Sequence, residues 1–202
     1  MLKISLSGLP GSGINALLTE TRKILGLKYR VDVVEPVRLK NPFDNSSHSG
    51  FISCFFDIST QINDENTRSV SHPDILACNR SILDHWVFWK REMNAKTHTP
   101  QLIEKHELIQ HLSSYWMPSY DRYFLIRLDL PVLQERLGPV ASREYTHDDL
   151  VELDEVYQQV IQEMGIQVVE IWNNGSIDET TQKLVAALPD ATPGSGPHKL
   201  YL

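Results

Sequence analysis

Short apolar runs alternate along this chain with longer stretches in which apolar residues recur every three or four positions. Met1 to Ser7, Tyr29 to Val34, Pro73 to Cys78, Tyr123 to Leu128 and Ile166 to Trp172 have strand length and end in turn-forming or polar residues. They predict five strands, of which the near-continuous apolar ones suit a sheet buried on both faces. Between them, Ile14, Leu17, Leu18, Thr21, Ile24 and Leu25 fall at helical spacing, as do Phe55, Ile58 and Ile62, then Ile82, Leu83, Trp86, Val87 and Trp89. Further helices are expected over Gln101 to Trp116, Val132 to Leu137 and Asp148 to Met164, and a closing one through Ile177, Thr181, Leu184 and Val185, with Ser176 as its N-cap. The polar stretches Arg38 to Gly50 and Asn63 to His72 read as loops. Strand and helix alternating from end to end predict an α/β fold of three layers, a parallel sheet of about five strands covered by helices on both faces. One domain is expected over residues 1–189. Residues 190–202, with Pro193, Gly194, Ser195, Gly196 and Pro197, are expected to form a disordered tail.

The chemistry begins between the first strand and the first helix, at Gly8-Leu9-Pro10-Gly11-Ser12-Gly13-Ile14-Asn15. This is the glycine frame of the phosphate-binding pattern G-x-x-x-x-G-K-[ST]. That pattern works because backbone N–H groups surround a polyphosphate, a Lys reaches the β- and γ-phosphates, and a Ser or Thr holds Mg²⁺. Ile14 stands at the Lys position and Asn15 at the hydroxyl position. A glycine-rich turn with no ligand is the alternative. Ligands of open parallel sheets sit at the carboxyl ends of the strands, and that rule gathers this loop, Glu35, Asn79-Arg80 and the region of Asp129 into one candidate site.

The loop, Glu35-Pro36-Val37, Asn79-Arg80-Ser81 with Asp84, Leu128-Asp129-Leu130-Pro131 and a late arginine-bearing loop together resemble the P-loop nucleoside and nucleotide monophosphate kinases. The pattern is most similar to deoxynucleoside and thymidylate kinases and to nicotinamide-riboside-kinase-like ATPase domains, over about residues 1 to 188. The resemblance implies Glu35 as general base beside an acceptor hydroxyl and Arg80 as a contact to acceptor phosphate or sugar. It further implies Arg136 and Arg143 as lid arginines on the phosphates, and Asn173 to Ser176, including Gly175, as the loop against an adenine. Gly8, Pro10, Gly11, Ser12, Gly13, Ile14 and Asn15 would cradle ATP or another nucleoside triphosphate.

The departures from the pattern fall on phosphoryl transfer, which depends on positioning and charge stabilisation. Ile14 removes a cation, Asn15 and Ala16 remove both candidate hydroxyls, and Asn79 replaces an acid. The expectation is a kinase-like protein that binds nucleotide weakly, with Mg²⁺ left open and transfer impaired or absent. Two alternatives stand beside it: a working nucleoside, nucleotide or small-molecule kinase with an unusual cation supply, and an interaction protein with a vestigial site. Each residue also has a structural reading. Glu35 could simply end a strand at the surface, Arg80 could pair with Asp84 or Glu35, Arg136 and Arg143 could be solvated, and Trp86, Phe88 and Trp89 could be core.

Composition narrows the partners. The 202 residues carry a formal charge of -7, against the basic face that nucleic-acid backbones require. No stretch approaches the ~20 apolar residues of a membrane span, and the first residues show no long apolar region or cleavage signal. A cytoplasmic protein is expected, with a nucleotide and a small-molecule acceptor as partners and a homodimer left open. Cys54 and Cys78 read as buried thiols in a reduced compartment. The eight histidines show no metal-ligand spacing and read as solvated.

Overall fold

A computed structural model of the chain describes residues 1–43, 50–141 and 145–189. Five strands, β1 (Leu2–Gly8), β2 (Val31–Val34), β3 (Ile75–Asn79), β4 (Arg122–Arg127) and β5 (Val168–Trp172), form one sheet in the order β2-β3-β1-β4-β5. Every pairing is parallel. The helices are α1 (Ile14–Leu25), α2 (Phe51–Ser69), α3 (Ile82–Asn94), α4 (Pro100–Trp116), α5 (Leu130–Ala141), α6 (His147–Glu163) and α7 (Ile177–Ala186). The expected three-layer parallel architecture is the one observed.

Each face of the sheet has its own apolar cluster. On one side Leu17, Leu18 and Leu25 of α1 and Leu184 of α7 pack against Ile4, Leu6, Ala77, Phe124 and Ile126. On the other, α2 through α6 cover Leu76, Cys78, Tyr123 and Leu125 with Ile58, Trp86, Trp89, Ile109, Leu133 and Tyr157. Strands covered on both faces cannot show the polar alternation of a half-exposed sheet, which is why they read as unbroken apolar runs. The order also sets the site. The chain passes from β1 to β2 and β3 on one side and then, from β3 to β4, crosses to the other, so the carboxyl end of β1 lies at the point where the order reverses. The register sets Leu6 opposite Asn79 and Gly8 opposite Ile126.

One expectation fails in α2. The polar stretch 63–72 reads as a loop, yet the helix runs on to Ser69. Its polar residues are held by pairing instead of apolar burial. Glu65 is buried and ion-paired with Lys3 of β1, and it accepts hydrogen bonds from Trp116 Nε1 at 2.7 Å, Tyr120 OH at 2.5 Å and Gln61 Nε2 at 2.7 Å. The Lys3 ammonium also lies over the Trp116 and Tyr120 rings, 4.7 and 4.3 Å from their centroids. A carboxylate so enclosed is tolerable only because nearly every lone pair has a donor. The expectations for residues 44–49 and for the tail 190–202 lie outside the described residues.

This pair generates a prediction. Lys3→Met removes the cation ion-paired with Glu65 among the described residues and leaves the carboxylate buried, so the variant should lose about 3–5 kcal/mol of stability. Urea unfolding near neutral pH measures it; a loss below about 1 kcal/mol would mean that the pair contributes no more than an exposed one.

Candidate functional site

The loop between β1 and α1 keeps the shape of an anion cradle. Gly13 sits at φ 85° and caps α1, and a Cβ there would come 2.7 Å from Asn173 Nδ2. A Cβ on Gly8 would stand 2.5 Å from the Ile126 carbonyl oxygen. A side chain at Gly8 would collide with backbone, and one at Gly13 would be strained by the positive φ and would displace the Asn173 amide. Among the described residues, the N–H groups of Gly11, Gly13, Ile14 and Asn15 meet no acceptor, and Ser12 N alone in this stretch turns back, to Leu9 O at 3.1 Å. Open N–H groups at a helix start favour a negative charge.

The loop is braced from below by Asp84, which is fully buried. Its Oδ2 accepts from Ser7 Oγ at 2.7 Å and from Ser81 N at 2.8 Å; its Oδ1 accepts from Arg80 Nη1 at 2.9 Å and from Tyr157 OH at 2.7 Å. Gly8 N reaches the same Oδ1 at 3.4 Å. One carboxylate therefore ties β1, the end of β3, α3 and α6 together beneath the loop. Arg80 completes the arrangement. At φ 71° it occupies the left-handed region, unusual for a side-chain-bearing residue, and its Nη1 also donates to the Gly8 carbonyl at 2.8 Å. Burial works against the guanidinium charge, but Asp84 outweighs it, and the Arg80 pKa is raised above its ordinary value. The pairing of Arg80 with Asp84 is thus present, while Glu35 takes no part in it.

The position where the pattern places a metal is closed by two amides. Asn79 Nδ2 donates to Asn15 Oδ1 at 2.7 Å. Ile14 is buried and belongs to the apolar cluster under α1. Mg²⁺ wants carboxylate, hydroxyl or water oxygens in near-octahedral array. Here the Asn15 oxygen is already taken by a neighbouring amide and the acid of β3 is absent, so these residues do not fit the ion.

A cavity of about 590 Å³ opens from the loop. Its lining includes Pro10, Gly11, Ser12, Gly13, Ile14 and Asn15 of the loop and α1 start, and Ser53, Asp57, His85, Phe88, Trp89 and Glu92 of α2 and α3. Arg38 and Tyr145 meet across its rim, the guanidinium donating to the hydroxyl at 3.2 Å. Leu133 and Leu137 of α5 lean on the loop from outside, so a Cβ on Gly11 would stand 2.8 Å from Leu137 Cδ2.

The site residues implied by resemblance divide around this cavity. Arg80 lines it, but with its guanidinium engaged below the loop. Glu35, at the end of the edge strand β2, is exposed and is not among the lining residues, although Pro36 beside it is. The acids that do line it are Asp57, Asp84 and Glu92. Arg136 is exposed on α5, outside the lining. Arg143 lies outside the described residues. Asn173 is buried and donates from Nδ2 to Ser12 O at 2.9 Å, so it props the loop. Gly175 abuts Glu179, and neither it nor Asn173 lines this cavity or the smaller one of about 220 Å³ behind the loop.

Sequence reasoning missed Asp57, His85 and Tyr157. His85 is buried, against the expectation of solvated histidines, because α3 presents nearly its whole circumference to neighbours. No spacing signal links Tyr157 to Gly8, 149 residues away. The Ser81–Asp84 capping box was a readable clue to a buried carboxylate at the start of α3.

Fold and loop together define the three-layer P-loop nucleoside kinase architecture. Solved structures of a deoxyadenosine kinase from M. mycoides share it. The form with bound dCTP superposes with a TM-score of 0.70 at 12% identity, covering 92% of this chain and 97% of that one. The form with bound dATP gives 0.69 at 11% identity, covering 92% and 98%. The form with the products dCMP and dCDP gives 0.67 at 12% identity, covering 92% and 97%. No family model matches the sequence, and no curated protein matches it. The shared property is therefore the fold.

The brace under the loop is testable. Tyr157→Phe removes one hydrogen bond to a buried charge and should cost about 1.5–3 kcal/mol. Asp84→Ala strands Arg80 and should cost about 3–5 kcal/mol. Denaturant unfolding of both variants gives the order; equal losses would show that Asp84 is not the centre of the cluster.

Proposed function

We propose that this chain holds a nucleotide on its P-loop without transferring a phosphoryl group. The observation that carries the reading is the hydrogen bond between Asn79 Nδ2 and Asn15 Oδ1, beside an Ile14 turned into the core. Together they put an apolar side chain and a neutral amide–amide hydrogen bond where the pattern has a cation and a metal position. The open N–H groups of the loop and the start of α1 still attract an anion. The cavity continuing from them ends in aromatic and hydrogen-bonding side chains, which suits a nucleoside joined to a phosphate. The nucleotides named with the M. mycoides structures agree with that ligand class.

Transfer would need the contacts of the lysine and of the metal-holding hydroxyl, and Ile14 and Asn15 stand in their places. Loss of a single preorganised contact to developing charge typically costs about 3 kcal/mol, a hundredfold or more in rate. Arg80 offers no substitute while it is paired with Asp84 and Gly8 O. Glu35, exposed outside the cavity lining, is not placed to act as base in this arrangement.

Calorimetric titration with ATP, in Mg²⁺ and in EDTA, together with a phosphate-release and transfer assay over a panel of nucleosides, tests the reading. Weak binding that changes less than about twofold between Mg²⁺ and EDTA, and no transfer, is expected. Ile14→Lys combined with Asn15→Ser and Asn79→Glu should add Mg²⁺-dependent binding of about tenfold or more. Tight, strictly Mg²⁺-dependent binding or transfer by the unaltered protein would refute the proposal.

A further inference from the structure

The cavity receives a cation from a part of the chain outside the loop. After β2, Pro36 leads into a single 3-10 turn, Val37–Lys40, and Pro36 and Arg38 both line the cavity. The turn is anchored three times. Val37 is buried, Lys40 is ion-paired with Asp64 of α2, and Asn41, just beyond, donates from Nδ2 to Ser53 Oγ and to Asp57 Oδ1, each at 2.8 Å. The backbone of Arg38 is therefore fixed beside the cavity, while the residue itself is exposed and donates across the rim to the Tyr145 hydroxyl at 3.2 Å. That acceptor is neutral. A phosphate oxygen accepts the same guanidinium with charge assistance, in a bond about twice as strong, and offers two oxygens to its fork.

Among the described residues two arginines line the cavity, and their surroundings set them apart. Arg80 Nη1 is divided between Gly8 O and Asp84 Oδ1, so that pair shapes the loop and carries little net charge. Arg38 stands outside that cluster. The described lining also holds the carboxylates of Asp57 and Glu92, on α2 and α3. Glu92 is ion-paired with Lys96, and Asp57 accepts from Asn41 and faces His85 Nδ1 at 3.8 Å. An anion is disfavoured beside those carboxylates and favoured between the loop N–H groups and Arg38.

Resting on the nucleotide-binding reading above, we infer that Arg38 selects a phosphate-bearing ligand for this cavity: a phosphate seated on the loop N–H groups takes the guanidinium over from Tyr145. The arginine thereby supplies, from the β2 side and without a metal, positive charge that Ile14 cannot supply from the start of α1. A cation on a long side chain at the rim adds affinity without the preorganised geometry that transfer requires.

Titrating the whole chain in EDTA with adenosine, guanosine, cytidine and uridine, their monophosphates, ATP and inorganic pyrophosphate tests this. The variants are Arg38→Met, Arg38→Lys and, as a control for net charge, Arg22→Met, at an exposed position of α1 outside the cavity lining. Arg38→Met should weaken every bound nucleotide and pyrophosphate by about tenfold, leave any bound nucleoside within about twofold, and flatten the salt dependence of nucleotide binding. Arg38→Lys should recover part of the loss, because a point charge replaces a fork. Arg22→Met should stay within about twofold for all ligands. Circular dichroism checks folding, and Arg38→Gln takes the place of Arg38→Met if the latter does not fold. Nucleotide affinity unchanged in Arg38→Met, an equal loss in Arg22→Met, or a nucleoside weakened as much as its monophosphate would overturn this inference and leave metal-free nucleotide binding standing. Absence of binding by every nucleotide to the unaltered protein would overturn both, and Mg²⁺-dependent turnover of ATP would remove the reading beneath them.

Discussion

The site depends on a buried carboxylate that touches no solvent. Asp84 gathers donors from Ser7, Arg80, Ser81 and Tyr157, with the Gly8 N–H at the edge of reach, and so fixes the end of β1, the end of β3 and the start of α3 against α6. A lone carboxylate in that position would be far too costly to bury; with a guanidinium and hydrogen-bond donors around it, the cost is offset and the geometry becomes specific. The left-handed backbone of Arg80 is a further local cost that the cluster sustains. The loop above inherits its shape from this brace, which explains how it keeps the form of a phosphate cradle without the residues that make such cradles catalytic.

The altered residues in the loop compensate one another. Ile14 is buried against the sheet where the pattern has a charge, and the Asn79 amide N–H is paired with the Asn15 amide oxygen. A neutral donor–acceptor pair needs no ion and no desolvated charge, which agrees with the proposed loss of phosphoryl transfer. Asn173 reinforces the loop from the β5 side through Ser12 O. The cavity lining combines the anion-favouring loop with polar and aromatic side chains of α2 and α3.

Much of this was legible in the sequence because it rests on local patterns. The five strands are apolar runs that a doubly covered parallel sheet requires, and the glycines at 8, 11 and 13 mark a backbone at positive φ that side-chain-bearing residues rarely follow. The continuation of α2 to Ser69 was hidden because Glu65 is buried by an ion pair with Lys3, 62 positions away, and apolar periodicity carries no trace of such pairing. His85 and Asp57 were hidden for a related reason: their meaning comes from α2 packing against α3, a contact that no spacing encodes. Glu35 and Arg136 carry residue types suited to catalysis, yet the fold leaves both exposed outside the cavity lining. Residue type shows what a side chain can do, and only packing decides whether it is present where the chemistry would occur.

The central claim is that the metal position of this P-loop has become a neutral amide pair. Electron paramagnetic resonance of Mn²⁺ titrated with ATP, with and without the protein, reads that position directly, since bound Mn²⁺ loses the sharp signal of the aqueous ion. The account predicts that the protein leaves the signal where ATP alone sets it. A saturable, protein-dependent loss of signal at about one ion per chain, abolished by Asn15→Ala, would contradict it.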